Sequence, residues 1–189
     1  MKLKSIKKVI VLLSGLVLWI LTIPPITVDA ATNNTFGTAQ LETKKEINYS
    51  DLSKEQAKHF TDKGFNKDDE YFTITTTQTN PTGSTRAVNV VVLTGSTKKV
   101  NNTMSRTEYI ISSSRAPFTN LNARLSLGGK KTVDAKVKPY KGTYVYSGGI
   151  YATYTGKRQY LGYKLTVQYT TTWGSKTASA SVGGLTIGK

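Results

Sequence analysis

The chain has 189 residues, with 26 Lys and Arg against 11 Asp and Glu, a formal net charge of +15 and no cysteine. Lack of cysteine excludes disulfides, thiolate metal sites and cysteine nucleophiles. With one histidine, His59, a multi-histidine metal site is excluded and any Ser-His-Asp triad would have to pass through that residue.

Residues 1–30 read as an export signal. Lys2, Lys4, Lys7 and Lys8 precede an apolar run over residues 9–23, Pro24 and Pro25 break it, and Val28-Asp29-Ala30 ends in a small-residue cleavage pattern. The run is short of the roughly 20 residues a spanning helix needs, so cleavage at Ala30–Ala31 is expected rather than retention as an anchor. A cysteine-free chain rich in Lys, Asn and Thr fits a bacterial exported protein, secreted and associated with the cell wall. Residues 31–50 are expected to be a flexible polar segment, within which residues 41–50, with alternating charges, read as a short edge strand or a linker, and residues 51–189 one domain with its own core.

The domain opens on a helix predicted over residues 53–63. Ser53 is an N-cap with Gln56 three residues on, Ala57 and Phe60 make a narrow apolar stripe that Leu52 extends as a staple, and Gly64 ends it. From Glu70 onward the pattern is β. Phe72, Ile74 and Thr76 alternate with threonines, residues 87–94 (AVNVVVLT) read as a strand buried on both faces, and residues 95–102 as a turn. A strand lies around Tyr109, and Leu121, Ala123, Leu125 and Leu127 alternate with polar residues, as do Val133, Ala135 and Val137.

Residues 143–182 carry seven of the eleven tyrosines. Leu161, Tyr163, Leu165, Val167 and Tyr169 occupy every odd position of a strand whose other face is polar. A turn at Gly156-Lys157 would pair it with residues 143–155, setting Tyr151 opposite Gly162 and Tyr160 opposite Thr153. A turn near Gly174 would bring in a third strand, with Tyr169 opposite Ala178 and Val167 opposite Ala180. This meander turns Tyr144, Tyr146, Tyr154, Tyr163 and Tyr169 inward. The expected fold is mainly β: an antiparallel β-sandwich of immunoglobulin-like, Greek-key type with about eight strands and one short N-terminal helix.

Charge is polarised along the chain. Residues 31–70 hold six Lys against eight acids, and residues 71–189 sixteen Lys and Arg against two acids, Glu108 and Asp134. Outside a bacterial cell such a surface meets anionic cell-wall polymers, acidic glycans or anionic lipid, and no nucleic-acid motif is present. A protein partner is also compatible with it. The candidate anionic-ligand surface is Tyr151, Lys157, Arg158, Tyr160 and Lys164, the outward tyrosines and cations of the meander.

No enzymatic constellation stands out, and no cofactor or metal is expected. Asp68-Asp69-Glu70 lacks the spacing of a calcium loop and reads as a turn. Ser96-Thr97-Lys98-Lys99 matches S-x-x-K without its companion motifs. The segment YTTTWGSKTASASVG, from Tyr169 to Gly183, resembles part of the lactococcin-type bacteriocins; it lies at the opposite end of the chain from the mature start, and no residue or activity is carried across. The expected function is an exported, non-enzymatic binding or structural module held by charge at the cell envelope. The alternative is a secreted membrane-active effector, a β-pore toxin or bacteriocin-like protein, in which the Thr-, Ser- and Gly-rich hairpin 143–171 would supply barrel strands.

Overall fold

The computed structural model describes residues 43–80 and 87–189. The expected signal peptide with its cleavage site, and residues 31–42 of the expected polar segment, lie outside them. Nine strands and one α-helix form among the described residues. The strands are β1 (Thr43–Ile47), β2 (Tyr71–Thr79), β3 (Val88–Lys99), β4 (Met104–Ser113), β5 (Phe118–Leu127), β6 (Lys131–Val137), β7 (Val145–Thr153), β8 (Gln159–Thr171) and β9 (Gly174–Ile187). The helix α1 is Lys54–Asp62. A first sheet has the order β1-β2-β3-β4-β7 and a second the order β6-β5-β8-β9, and all pairings are antiparallel.

Period-two patterning explains where the core lies. Leu121, Ala123, Leu125 and Leu127 of β5 and Leu161, Tyr163, Leu165, Val167 and Tyr169 of β8 are buried on one face of the second sheet. Phe72, Ile74, Val91, Leu93, Tyr109, Ile111, Ile150 and Ala152 of the first sheet meet them in a single cluster. Two antiparallel sheets with their inner faces in one core are consistent with a β-sandwich.

The helix forms where its N-terminal signal stands. Ser53 Oγ accepts from the Gln56 N–H at 3.2 Å, and Gln56 Oε1 accepts from the Ser53 N–H at 3.0 Å, a reciprocal capping box. Its apolar stripe is too narrow for independent stability. Phe60 supplies the anchor: it packs with Phe65, Tyr71 and Ile110 on the outward face of the first sheet, with Ile47, Tyr49 and Leu52 around them. The Phe60 and Tyr71 rings meet edge to face, their centroids 5.1 Å apart.

The strand pairing corrects the expected meander. β7 does not pair with β8. It pairs with β4, setting Tyr151 opposite Arg106 and Tyr146 opposite Ile111, while β8 lies between β5 and β9. Ile150 and Ala152 do share the core cluster with Leu161 and Tyr163, but from different sheets rather than side by side. The apolar faces of two alternating strands match equally well in either arrangement, so alternation alone does not choose a partner. The β8–β9 hairpin does form, with Val167 opposite Ala178 and Leu165 opposite Ala180. That register is two residues from the expected one, a shift that leaves every side chain on its face. Farther along, Gly162 pairs with Gly184 and Lys164 with Ser181, so β9 carries one extra residue. Gly183 there has φ +84°, as a glycine bulge requires.

Residues 43–47 form the edge strand β1 against residues 71–75 of β2, the strand alternative for that stretch. Another local expectation changes. The turn expected from Gly95 is strand instead, because β3 runs on to Lys99. Gly95 is there for close approach: a Cβ would come within 2.4 Å of the Phe72 ring. Of the five tyrosines assigned inward, Tyr163 and Tyr169 are buried, Tyr146 and Tyr154 pack partly against the core, and Tyr144 is exposed.

A buried polar network closes one end of the sandwich. Asn89 Nδ2 donates to Gln78 Oε1 at 2.9 Å. Asn89 Oδ1 accepts from Ser113 Oγ at 3.0 Å and from the N–H groups of Arg115 and Ala116 at 2.8 and 3.3 Å. Gln78 reaches the second sheet, donating to Gly174 O at 2.9 Å and accepting from Thr171 Oγ1 at 3.0 Å.

Buried phenols make the fold sensitive to alkali. Burial, with Asp69 nearby, pushes the Tyr71 hydroxyl up to about 12, and burial also raises Tyr109 and Tyr163. The unfolded phenols ionise near pH 10. Since the folded values are raised, this contribution to stability is complete below pH 10 and is lost as pH rises towards the folded values. The expected result is a melting temperature that falls above about pH 10, with tyrosinate absorbance rising as the protein unfolds. Full tyrosine ionisation near pH 10 in a still-folded protein would contradict it.

Candidate functional site

Each sheet presents one outward face, and the two faces differ in chemistry. On the first sheet the face is covered by α1, and beside the helix lies a charged cluster. Glu108 of β4 has a side chain only 3% exposed. Arg106, two residues away on the same face, places Nη2 2.6 Å and Nε 2.7 Å from Glu108 Oε1. His59 of α1 brings Nε2 to 3.4 Å from Oε2, without the alignment of a hydrogen bond. The Arg106 guanidinium also lies over the Tyr151 ring, 5.1 Å from its centroid, and donates to Lys63 O at 3.3 Å. Gly149, opposite Glu108, makes room for the carboxylate, since a Cβ there would stand 2.2 Å from Oε1. Both carboxylate oxygens face basic groups of the protein itself. The cluster therefore acts as a clasp between α1 and the sheet, which accounts for the lone histidine.

Among the described residues, no helix lies on the outward face of the second sheet. Its side chains fall into cross-strand rows set by the register. Lys136, Asn122, Gln168 and Thr177 form one row across β6, β5, β8 and β9. Asp134, Arg124, Thr166 and Ser179 form the next, and Thr132, Ser126, Lys164 and Ser181 the one after. Asn122 Nδ2 donates to Gln168 Oε1 at 3.3 Å, and Thr166 and Ser179 share a hydroxyl bond of 2.8 Å. Arg124 grips Asp134 with two bonds of 2.7 and 3.3 Å. Those bonds first, and the charges of Arg124 and Lys136 with them, hold the Asp134 carboxyl below its usual range. A shallow groove on this face is lined by Asn120, Asn122, Gln168, Thr170, Ser175 and Thr177 together with Lys136 and Lys176.

The five sequence-predicted residues are divided between these faces. Tyr160 and Lys164 stand outward on β8, and Lys157 and Arg158 lie exposed in the connection that enters it. Tyr160 is 69% exposed and lies across Gly184, where a Cβ would meet its hydroxyl. Tyr151, 52% exposed, belongs to the first sheet and packs on Arg106, not over Gly162. The set is separated because β7 and β8 belong to different sheets. Its missing members come from β5, β6 and β9. Their polar alternation is visible in the sequence, as is the place of β9 beside β8, but the place of β5 and β6 in the same sheet is not. The Asp68-Asp69-Glu70 stretch is a turn, in which Asp69 Oδ2 accepts from the Asn66 N–H at 2.8 Å.

Compared with protein-family models and with curated protein sequences, the chain matches none.

Proposed function

We propose that this is an exported bacterial, non-enzymatic binding module that associates by charge with an anionic component of the cell envelope, through the outward face of its second sheet. The observation that carries this reading is the charge inventory of that face. The face presents Arg124, Lys136 and Lys164 against a single acid, Asp134, which Arg124 already neutralises, and residues 118–189 as a whole hold eleven Lys and Arg against that one acid. An uncovered sheet face with that balance attracts polyanions at long range, and salt screens the attraction. The pairing of β4 with β7 in one sheet and of β5 with β8 in the other supports an immunoglobulin-like, Greek-key reading of the sandwich. Such a scaffold hosts many functions, so the argument rests on the face and not on the fold.

The membrane-active alternative drew on a hairpin spanning residues 143–171, and that hairpin does not form. Two measurements separate the readings. The secreted protein, beginning at Ala31, is expected to be retained on isolated cell walls at low salt, to be released as salt is raised, and to cause no dye leakage from anionic liposomes. Leakage without wall retention would reverse the assignment in favour of the effector.

A further inference from the structure

The geometry points to an acidic polysaccharide as the ligand of the second sheet's outward face, read through its sugar hydroxyls by the amide row Asn122–Gln168 and through its charges by Lys136 and Lys164. This rests on the reading above that the face binds polyanions, and it adds the chemical class. Three observations carry it. The first is composition: amides and hydroxyls make up most of the groove's lining, with Lys136 and Lys176 among them and Lys136 directly across from Asn122. A site for bare phosphate or lipid headgroups is built mainly of cations. Amides, which both donate and accept, match hydroxyl-bearing rings.

The second observation is an unmet acceptor. Asn122 donates to Gln168, but its Oδ1 is closed off from solvent and has no hydrogen-bond partner in the protein, so that a ligand reaches it only when the side chain rotates outward. A carboxylate or phosphate oxygen only accepts and cannot satisfy it, whereas a sugar hydroxyl donates. The third is the order of side chains along β8. Gln168, Lys164 and Tyr160 recur every fourth residue on the outward face. That puts an amide, a cation and an exposed ring in line at intervals of about 13 Å. A polymer lying along the strand would meet a hydroxyl reader, a charge partner and a stacking surface in turn.

The test uses the purified protein with three probes: polygalacturonate, inorganic polyphosphate, and phosphatidylglycerol vesicles. The intact protein is expected to bind polygalacturonate more tightly than either sugar-free anion. Asn122→Ala with Gln168→Ala should weaken polygalacturonate binding roughly tenfold or more while changing polyphosphate binding less than about twofold. Lys136→Gln with Lys164→Gln should weaken binding to both. If the amide variant does not fold, amide-shift mapping on the intact protein decides: polygalacturonate should perturb Asn122, Gln168 and Thr177. Equal losses for the two polymers, tighter binding of polyphosphate or vesicles, or perturbation confined to Arg106 and Tyr151 would overturn the glycan assignment and leave the polyanion reading standing. Failure to bind any of the three probes would overturn that reading itself.

Discussion

Asn89→Ala is expected to lower stability by about 3–5 kcal/mol, because it removes the hub of a buried network rather than a single bond. Asn89 is fully buried. Its carbonyl oxygen takes the Arg115 and Ala116 N–H groups and the Ser113 hydroxyl, and its amide holds Gln78, which in turn reaches Gly174 and Thr171. Alanine would leave backbone donors unsatisfied in a space that excludes water, at about 1–3 kcal/mol each. The chain after β4 turns at this point to enter β5 in the other sheet, so the connection between the sheets loosens as well. Thermal melting should shift down by about 10 °C or more, and hydrogen exchange should accelerate first at Arg115 and Ala116. A loss below about 1 kcal/mol would mean that the turn finds other partners.

Glu108→Ala should cost about 2–4 kcal/mol, with the loss concentrated in α1. The substitution leaves Arg106 and His59, both mostly buried, without the carboxylate they face. A basic group deprived of its buried partner is destabilising well beyond the net worth of the pair. Gly149→Ala tests the same clasp without removing charge. Its new Cβ would arrive 2.2 Å from Oε1, so the carboxylate must shift away from Arg106 or His59. In both variants amide exchange should rise across Lys54–Asp62 and stay slow in β5 and β8, whose core is separate from the Phe60 cluster. Unchanged exchange in the helix would show that Phe60 and its neighbours hold α1 without the clasp.

The two clusters show why some features could be read from the chain and others could not. The capping box at Ser53 and Gln56 depends on residues three apart, and it formed as the local pattern indicated. Asn89 lies within an apolar run, AVNVVVLT, where a polar residue suggests nothing by itself. Its partners come from residues 78 and 113–116, which only the fold brings together. Glu108 was visible as one of two acids in the β region, and His59 as the only histidine. Their proximity required α1 to lie across β4.

The candidate surface follows the same division. Alternation in β5, β8 and the neighbouring strands determined which residues face inward and which outward, because a period of two ties each side chain to one face wherever the strand is placed. Charge composition likewise determined that the β region is basic. Strand partnership was decided only in the tertiary structure. Tyr151 and Tyr160 both face outward, yet β7 joined β4 and β8 joined β5, which put them on different sheets. A strand's alternation specifies its faces but leaves its edges equivalent, and an edge accepts any antiparallel neighbour that also keeps its apolar face on the core. Choosing among such neighbours takes the whole core at once: the Phe72 ring over Gly95, the bulge at Gly183, and the Asn89 network at the crossing between sheets.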